Sequence, residues 1–271
     1  MSVNMREYPP AADEALLERG AESFKSGDHD VAVASFSGAI RLNPRNDKAF
    51  AGRAMVYYDL KNYGASDRDF QAAIRLNPNE ISYYNLWAYS CYKAERYNIA
   101  ADLCRSAIEV DPDCHDAYHL MGRICYAICE YESAVSQYDE AIKRSPSPVD
   151  AYYHNRGMAY LDLKRYDDAI SDYTEAIKLN PEDAILYTSR ALAYYHTGRY
   201  DDLINDCTEA IRFNPEDVFL YALRGRANDL TERSRWQAVS APRQSGSTRR
   251  RIHSASTVKM PSTPWSSKAR R

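Results

Sequence analysis

Two imidazoles and two thiols fall close together near the middle of the chain. His115 and His119 are one helical turn apart, and so are Cys125 and Cys129. Imidazole and thiolate are zinc ligands, and thiolates are also nucleophiles and redox centres. The spacing argues against a metal. At about 100° per residue the two pairs point to different sides of one helix. None of the six cysteines, at 91, 104, 114, 125, 129 and 207, forms a CxxC pair with another. The sequence also lacks a Walker A loop, a GxGxxG after a strand, a GxSxG elbow and an HExxH. Neither enzyme, cofactor nor metal site is expected.

The elements that carry these residues repeat. Pro44, Pro78, Pro112, Pro146, Pro181 and Pro215 are spaced 34, 34, 34, 35 and 34 residues apart. A fixed period of this size means stacked supersecondary units rather than one globular core. With the proline at repeat position 32, six units are 13–46, 47–80, 81–114, 115–149, 150–183 and 184–217. A seventh begins at Val218 and fails near Asp229. The extra residue lies in a connector, Ser145-Pro146-Ser147-Pro148-Val149, where an insertion costs little.

The columns have physical meaning. Position 27 is Ala in all six units and position 28 is Ile in all six. Position 8 is small in every unit, from Gly20 to Gly225, and position 4 is large, from Leu16 to Tyr221. Position 20 is small in five of the six units, with Leu203 as the exception, and position 24 is aromatic or Cys. Spacings of 3, 4 and 7 mark helical faces. Each unit therefore reads as two antiparallel helices, at positions 1–14 and 18–30, joined by a short turn. The proline ends the second helix and is tolerated just before the next first helix. Cys91, Cys104, Cys125 and Cys207 fall in packing columns and read as small core residues. Cys114 and Cys129 lie off those columns and are the thiols open to redox chemistry.

This pattern resembles the tetratricopeptide repeat. Unit five carries its signature best, in Tyr153, Gly157, Tyr160, Ala169, Tyr173, Ala176 and Pro181. The resemblance covers residues 13–230. It implies an all-α superhelix of six helix-turn-helix repeats with a capping helix over 217–230. It also implies a concave groove, lined by the first helices, that binds a peptide or helix of another protein. Positions 2, 5, 9, 12 and 13 would face that groove. The candidate contact residues there are Tyr58, Asn85, Tyr89, Tyr92, Lys93, His119, Arg123, Tyr126, His154 and Tyr195. Tyrosine suits such a surface because it offers a flat apolar face and a hydroxyl with little rotamer entropy to lose.

Not every family activity fits. Co-chaperones that grip the acidic tails of Hsp70 and Hsp90 need cationic and amide groups at set positions in three consecutive units. Units one to three offer Leu17, Ala21, Gly52, Ser82 and Leu86 instead. Units four to six have His119, Arg123 and Asn155, followed by Ile185 and Ser189. A terminal carboxylate would lack its bidentate partner, so this clamp is expected to be absent.

One column departs from the family. Position 7, usually Leu, is Arg at 19, 53, 156, 190 and 224, and position 23 is Asp at 69, 172 and 206. Asp at 23 occurs only in units with Arg at 7. Ion pairs Arg53–Asp69, Arg156–Asp172 and Arg190–Asp206 are predicted between the two helices of a unit, where the planar guanidinium fork suits partial burial.

Composition sets the outer limits. The chain has 271 residues, 45% of them hydrophobic and 27% charged, as in a folded protein. Apolar runs are too short to span a membrane. Residues 1–12 read as an N-terminal extension without the apolar stretch of a secretory signal. With six unpaired thiols this points to a reducing, cytoplasmic setting. The net charge of −3 hides an asymmetry. After Thr231 the last 40 residues hold ten Lys/Arg and one acid, a net of +9 against −12 for the rest. Residues 231–271 are rich in Ser and Arg and read as a disordered basic tail. The alternative function is therefore an adaptor that meets nucleic acid or an acidic surface through this tail, most densely at Arg249, Arg250 and Arg251. The acidic repeats themselves argue against nucleic acid there.

Overall fold

A computed structural model describes residues 11–240. They form thirteen helices: α1 (Ala11–Lys25), α2 (His29–Leu42), α3 (Asp47–Asp59), α4 (Tyr63–Leu76), α5 (Ile81–Lys93), α6 (Tyr97–Val110), α7 (His115–Ala127), α8 (Tyr131–Arg144), α9 (Asp150–Asp162), α10 (Tyr166–Leu179), α11 (Ala184–Thr197), α12 (Tyr200–Phe213) and α13 (Val218–Ser240). The packing below concerns the compact unit that ends at Thr231.

Local chemistry starts and stops these helices. Asp28, Asn46 and Asn62 cap α2, α3 and α4, their side chains accepting from the amides of Val31, Ala49 and Ala65. Each turn inside a unit reverses through one left-handed residue, always at repeat position 15. Glycine fills it at Gly27 and Gly198, but Lys61, Glu95, Cys129 and Lys164 adopt φ of 58°, 59°, 64° and 61° there. A second tie closes units one, two and five at their other end. The amides of Asn43, Asn77 and Asn180 donate to the carboxylates of Asp13, Asp47 and Asp150 at 2.9, 3.0 and 3.0 Å.

The core runs between the two helices of each pair and on into the next pair. Ala at position 27 is fully buried in all six units. Position 8 is small because position 24 lies against it. A Cβ on Gly122 would stand 2.5 Å from the Tyr138 ring, and one on Gly157 2.8 Å from Tyr173. Where position 24 shrinks to Cys104 or Cys207, position 8 grows to Ala88 or Ala191, and all four are buried. In units three to six the two columns thus exchange volume, as close packing favours, while unit two keeps Ala54 with the large Phe70.

Successive first helices touch one another from α1 through α3, α5, α7, α9 and α11, while each second helix packs on first helices. A stack in which only the first helices meet their counterparts is drawn together on that side, which makes it the inner face. The fold is the expected α–α superhelix. At its end α13 buries Leu220, Leu223 and Ala227 as a seventh first helix. It runs on to Ser240, ten residues past the boundary at 230, so the first part of the segment read as disordered is helical. Arg249, Arg250 and Arg251, with the rest of 241–271, lie outside the described residues.

Candidate functional site

The inner face is built from one side of α3, α5, α7, α9 and α11. Its richest stretch spans α3 to α7. Tyr58 is half-buried, its ring 5.9 Å from Tyr63, and burial together with Tyr63 and Tyr89 nearby raises its hydroxyl pKa. Tyr89 is 41% exposed. Tyr92 is half-buried against Tyr97 at 5.8 Å. The guanidinium of Arg123 lies 4.6 Å above the Tyr92 ring and 5.8 Å from Tyr89, in cation–π geometry. It forms no hydrogen bond or ion pair within the described residues. Lys93 stands exposed at the rim. The Tyr126 hydroxyl donates to Asp162 at 2.5 Å, across to α9.

The position-12 tyrosines do double duty. Tyr126 lies 5.4 Å from Tyr131 and Tyr195 lies 6.4 Å from Tyr200, as Tyr58 and Tyr92 lie on Tyr63 and Tyr97. One face of each ring therefore braces the turn to the second helix. Tyr195 also sits 5.6 Å from the Arg226 guanidinium on α13.

The three position-5 candidates are placed differently. They turn away from the open face into the joints around their helices. Asn85 donates to the Cys114 thiol at 3.4 Å. His119 Nε2 lies 2.7 Å from the Asn155 amide nitrogen, and its ring lies 4.5 Å from Tyr152 in a tilted arrangement. His154 Nε2 lies 3.3 Å from the Ser189 hydroxyl. Burial, then the Arg123 charge, pushes the His119 pKa down to about 4, and burial also lowers His154. Both imidazoles are neutral struts between successive first helices. A histidine at 5 with Asn155 or Ser189 at position 6 of the next unit is the sequence signal for this placement.

The position-7 arginines join three helices each. Arg53 Nε and Nη2 donate to the two carboxylate oxygens of Asp69 at 2.7 and 2.9 Å. Arg156 meets Asp172 at 2.8 and 2.6 Å, and Arg190 meets Asp206 at 2.8 and 2.7 Å. The remaining Nη1 reaches back to position 25 of the preceding unit, at Ser37, Asp139 and Thr174 respectively. Rings at positions 4 and 11 lie 5.7–5.9 Å from each guanidinium. The hydrogen bond to Asp69 raises Arg53 above the ordinary arginine value. Burial pulls Asp172 and Asp206 upward against Arg156 and Arg190, and the bidentate bonds hold the pairs ionised. The backward arm was not foreseen, although Ser, Thr or Asp at position 25 was its signal.

Where position 7 is Trp87, the joint is rewired. Its indole Nε1 donates to Asp67 at 2.7 Å, and Arg96 closes on the same carboxylate at 2.6 and 3.1 Å. The thiols are mostly enclosed. Burial raises Cys91 to about 11 and Cys104 and Cys207 to about 12, and Cys114 is buried as well. Among the six cysteines Cys129 alone is exposed, so Cys114 is not an accessible thiol. His115 and the described Cys, Asp and Glu residues nowhere gather in a group of three or more suited to a metal. Among the described residues no helix is long and apolar enough to cross a membrane.

Helix pairs stacked at a 34-residue period, with an aromatic inner face, define a helical-repeat solenoid. Sequence models described as Tetratricopeptide repeat match residues 17–81, 85–148 and 151–183. The chain belongs to the tetratricopeptide repeat family. No protein of curated function matches it. Among solved structures, Pseudomonas aeruginosa PilF is 13% identical, with a TM-score of 0.66 over 80% of this chain and 98% of that one. The APC/C hetero-tetramer Cut9–Hcn1 is 20% identical with a TM-score of 0.63, over 82% of this chain and 44% of the other. This chain thus spans under half the length of the Cut9–Hcn1 chain it matches. YrrB, described as a TPR protein with an unusual peptide-binding site, is 15% identical with a TM-score of 0.56, over 72% of this chain and 97% of that chain. At these identities the likeness is one of fold.

Proposed function

We propose that the chain is a non-enzymatic scaffold that binds a peptide or helix of a partner protein on its inner face, centred on Tyr58, Tyr89, Tyr92, Arg123 and Tyr126. The observation that carries this reading is the Arg123 guanidinium. It is propped on the Tyr92 ring with its N–H groups unmatched by any acceptor in the described residues. An arginine held flat on an aromatic shelf offers a preorganised fork to a carboxylate or backbone carbonyl, while the tyrosine faces beside it take apolar side chains. Lys93 and Tyr195 extend the surface to either side. Asn85, His119 and His154 support it from within the joints. The peptide-binding site named for YrrB is consistent with this use of the fold. Hsp70 and Hsp90 tails are not the proposed partners, because the clamp positions hold the wrong residues.

The test is a peptide selected from a display library on the full chain. Its affinity is then measured on the triple variant Tyr92→Ala/Arg123→Ala/Tyr126→Ala. A loss of tenfold or more is expected, with helicity unchanged by circular dichroism. Selected peptides that all bind the variant as tightly as wild type would remove the inner face from units three and four.

A further inference from the structure

Arginine recurs at position 7 on α1, α3, α9, α11 and α13, but it grips an Asp at position 23 only on α3, α9 and α11; on α1, Arg19 has Ser35 at that position. Arg224 on α13 keeps the backward contact, Nη1 to Thr208 Oγ1 at 3.3 Å, and the aromatic one, 5.5 Å from the Tyr221 ring. Its Nε–Nη2 edge, the edge that grips Asp69, Asp172 and Asp206 elsewhere, meets no carboxylate among the described residues. The surface beside it is open in the same way. A Cβ on Gly225 would find nothing within 4 Å, whereas one on Gly20, Gly122 or Gly157 would stand within 2.8 Å of an aromatic ring. Tyr221 is 44% exposed. The side of α13 next to this surface is seated in the core through Leu220, Leu223 and Ala227. Among the described residues no second helix packs on α13 as one does on each earlier first helix, and α13 continues to Ser240, past the place where the turn to such a helix would fall.

We infer that the Tyr221–Arg224–Gly225 face of α13 docks an amphipathic helix of another protein that carries an Asp followed directly by an aromatic residue. The filled sites give its chemistry. Asp172-Tyr173 in α10 puts the carboxylate on Arg156 and the ring over Gly157, with Ala169 and Ala176 buried to either side. Residues 241–271 contain no Asp or Glu and so do not offer the required Asp-aromatic pair. A second copy does not fit either. Its Asp69, Asp172 and Asp206 are only 4–6% exposed, each closed on its own arginine. The site is separate from the inner face.

The test uses the full chain and a labelled, side-chain-stapled peptide with the sequence of α10, residues 166–179. One-to-one binding by fluorescence anisotropy is expected. Replacing the peptide's Asp at the place of Asp172 by Asn weakens binding tenfold or more. Arg224→Ala weakens the parent peptide by the same factor and makes the protein indifferent to the Asp-to-Asn change. Gly225→Leu, which fills the slot, abolishes binding, and Tyr92→Ala/Arg123→Ala/Tyr126→Ala leaves it unchanged. No binding, or binding insensitive to Arg224→Ala, overturns the inference. So does self-association of the chain in sedimentation that Arg224→Ala removes, since that assigns the face to a second copy.

Discussion

Units two, five and six and the stretch from α5 to α8 solve the same packing problem with opposite chemistry. In the former, a half-buried arginine fastens its own second helix and the one before it. In the latter, Trp87 and Met121 occupy that position opposite Leu103 and Gln137, and an arginine appears two residues further on instead. Arg123 at position 9 projects over Tyr92 and Tyr89 rather than inward. The difference teaches that the inner face gains an unmatched cation where no arginine is spent at position 7 of the same helix. Charge spent on holding helices together is charge withheld from a ligand.

The comparison breaks most sharply at a single carboxylate. Asp206→Ala should destabilise the fold by about 3–5 kcal/mol, because it strands the Arg190 guanidinium in a partly buried joint. The double variant Arg190→Met/Asp206→Leu should recover most of that loss in urea melts. No recovery would mean that the pair adds net stability beyond its register role.

Protonation acts on the stretch from α5 to α8 instead. The folded pKa of His119 is about 4, below the ordinary value of 6.5, so the fold favours the neutral ring. Its contribution is complete above pH 6.5 and is lost as pH falls toward 4. Allowing for its partial exposure, about 2 kcal/mol should disappear over that window. His119→Gln should flatten the acid limb of a stability–pH curve there, and an unchanged slope would place the ring in solvent.

Two glycines sharpen the contrast between closed and open joints by the sign of their response. Gly122→Ala pushes a methyl into the Tyr138 ring and should cost about 1–2 kcal/mol despite better helix propensity. Gly225→Ala meets nothing and should gain about 1 kcal/mol from propensity alone. Equal effects in thermal melts would mean that the α13 face is covered. The smallest effect belongs to the turns. Cys129→Gly relieves a left-handed residue and should stabilise by about 0.5–1 kcal/mol, against no gain for Gly198 units already relaxed.

Much of this was legible before any coordinates, because a repeat writes each contact six times. The Ala and Ile columns, the paired helices and the covarying Arg–Asp positions all follow from 34-residue spacing. The volume exchange between Gly122 and Tyr138, or Ala88 and Cys104, was present in the same columns but becomes visible only once the two are known to touch. The left-handed turn residue was hidden because Lys61, Glu95, Cys129 and Lys164 carry no glycine signal. The contacts of Asn85, His119 and His154 with Cys114, Asn155 and Ser189 were not legible in the same way. A helical wheel places position 5 on the inner side but does not say how closely the next first helix approaches.

The sequence alone therefore determined the architecture and the partners within a unit, since both depend on short-range periodicity repeated many times. The tertiary structure decided what happens between units: the third arm of Arg53, Arg156 and Arg190, the engagement of the histidines with the next first helix, and the carboxylate-free edge of Arg224 among the described residues. Those depend on the rise and rotation from one helix pair to the next. No single repeat encodes that step. It emerges from how neighbouring side-chain volumes settle against each other.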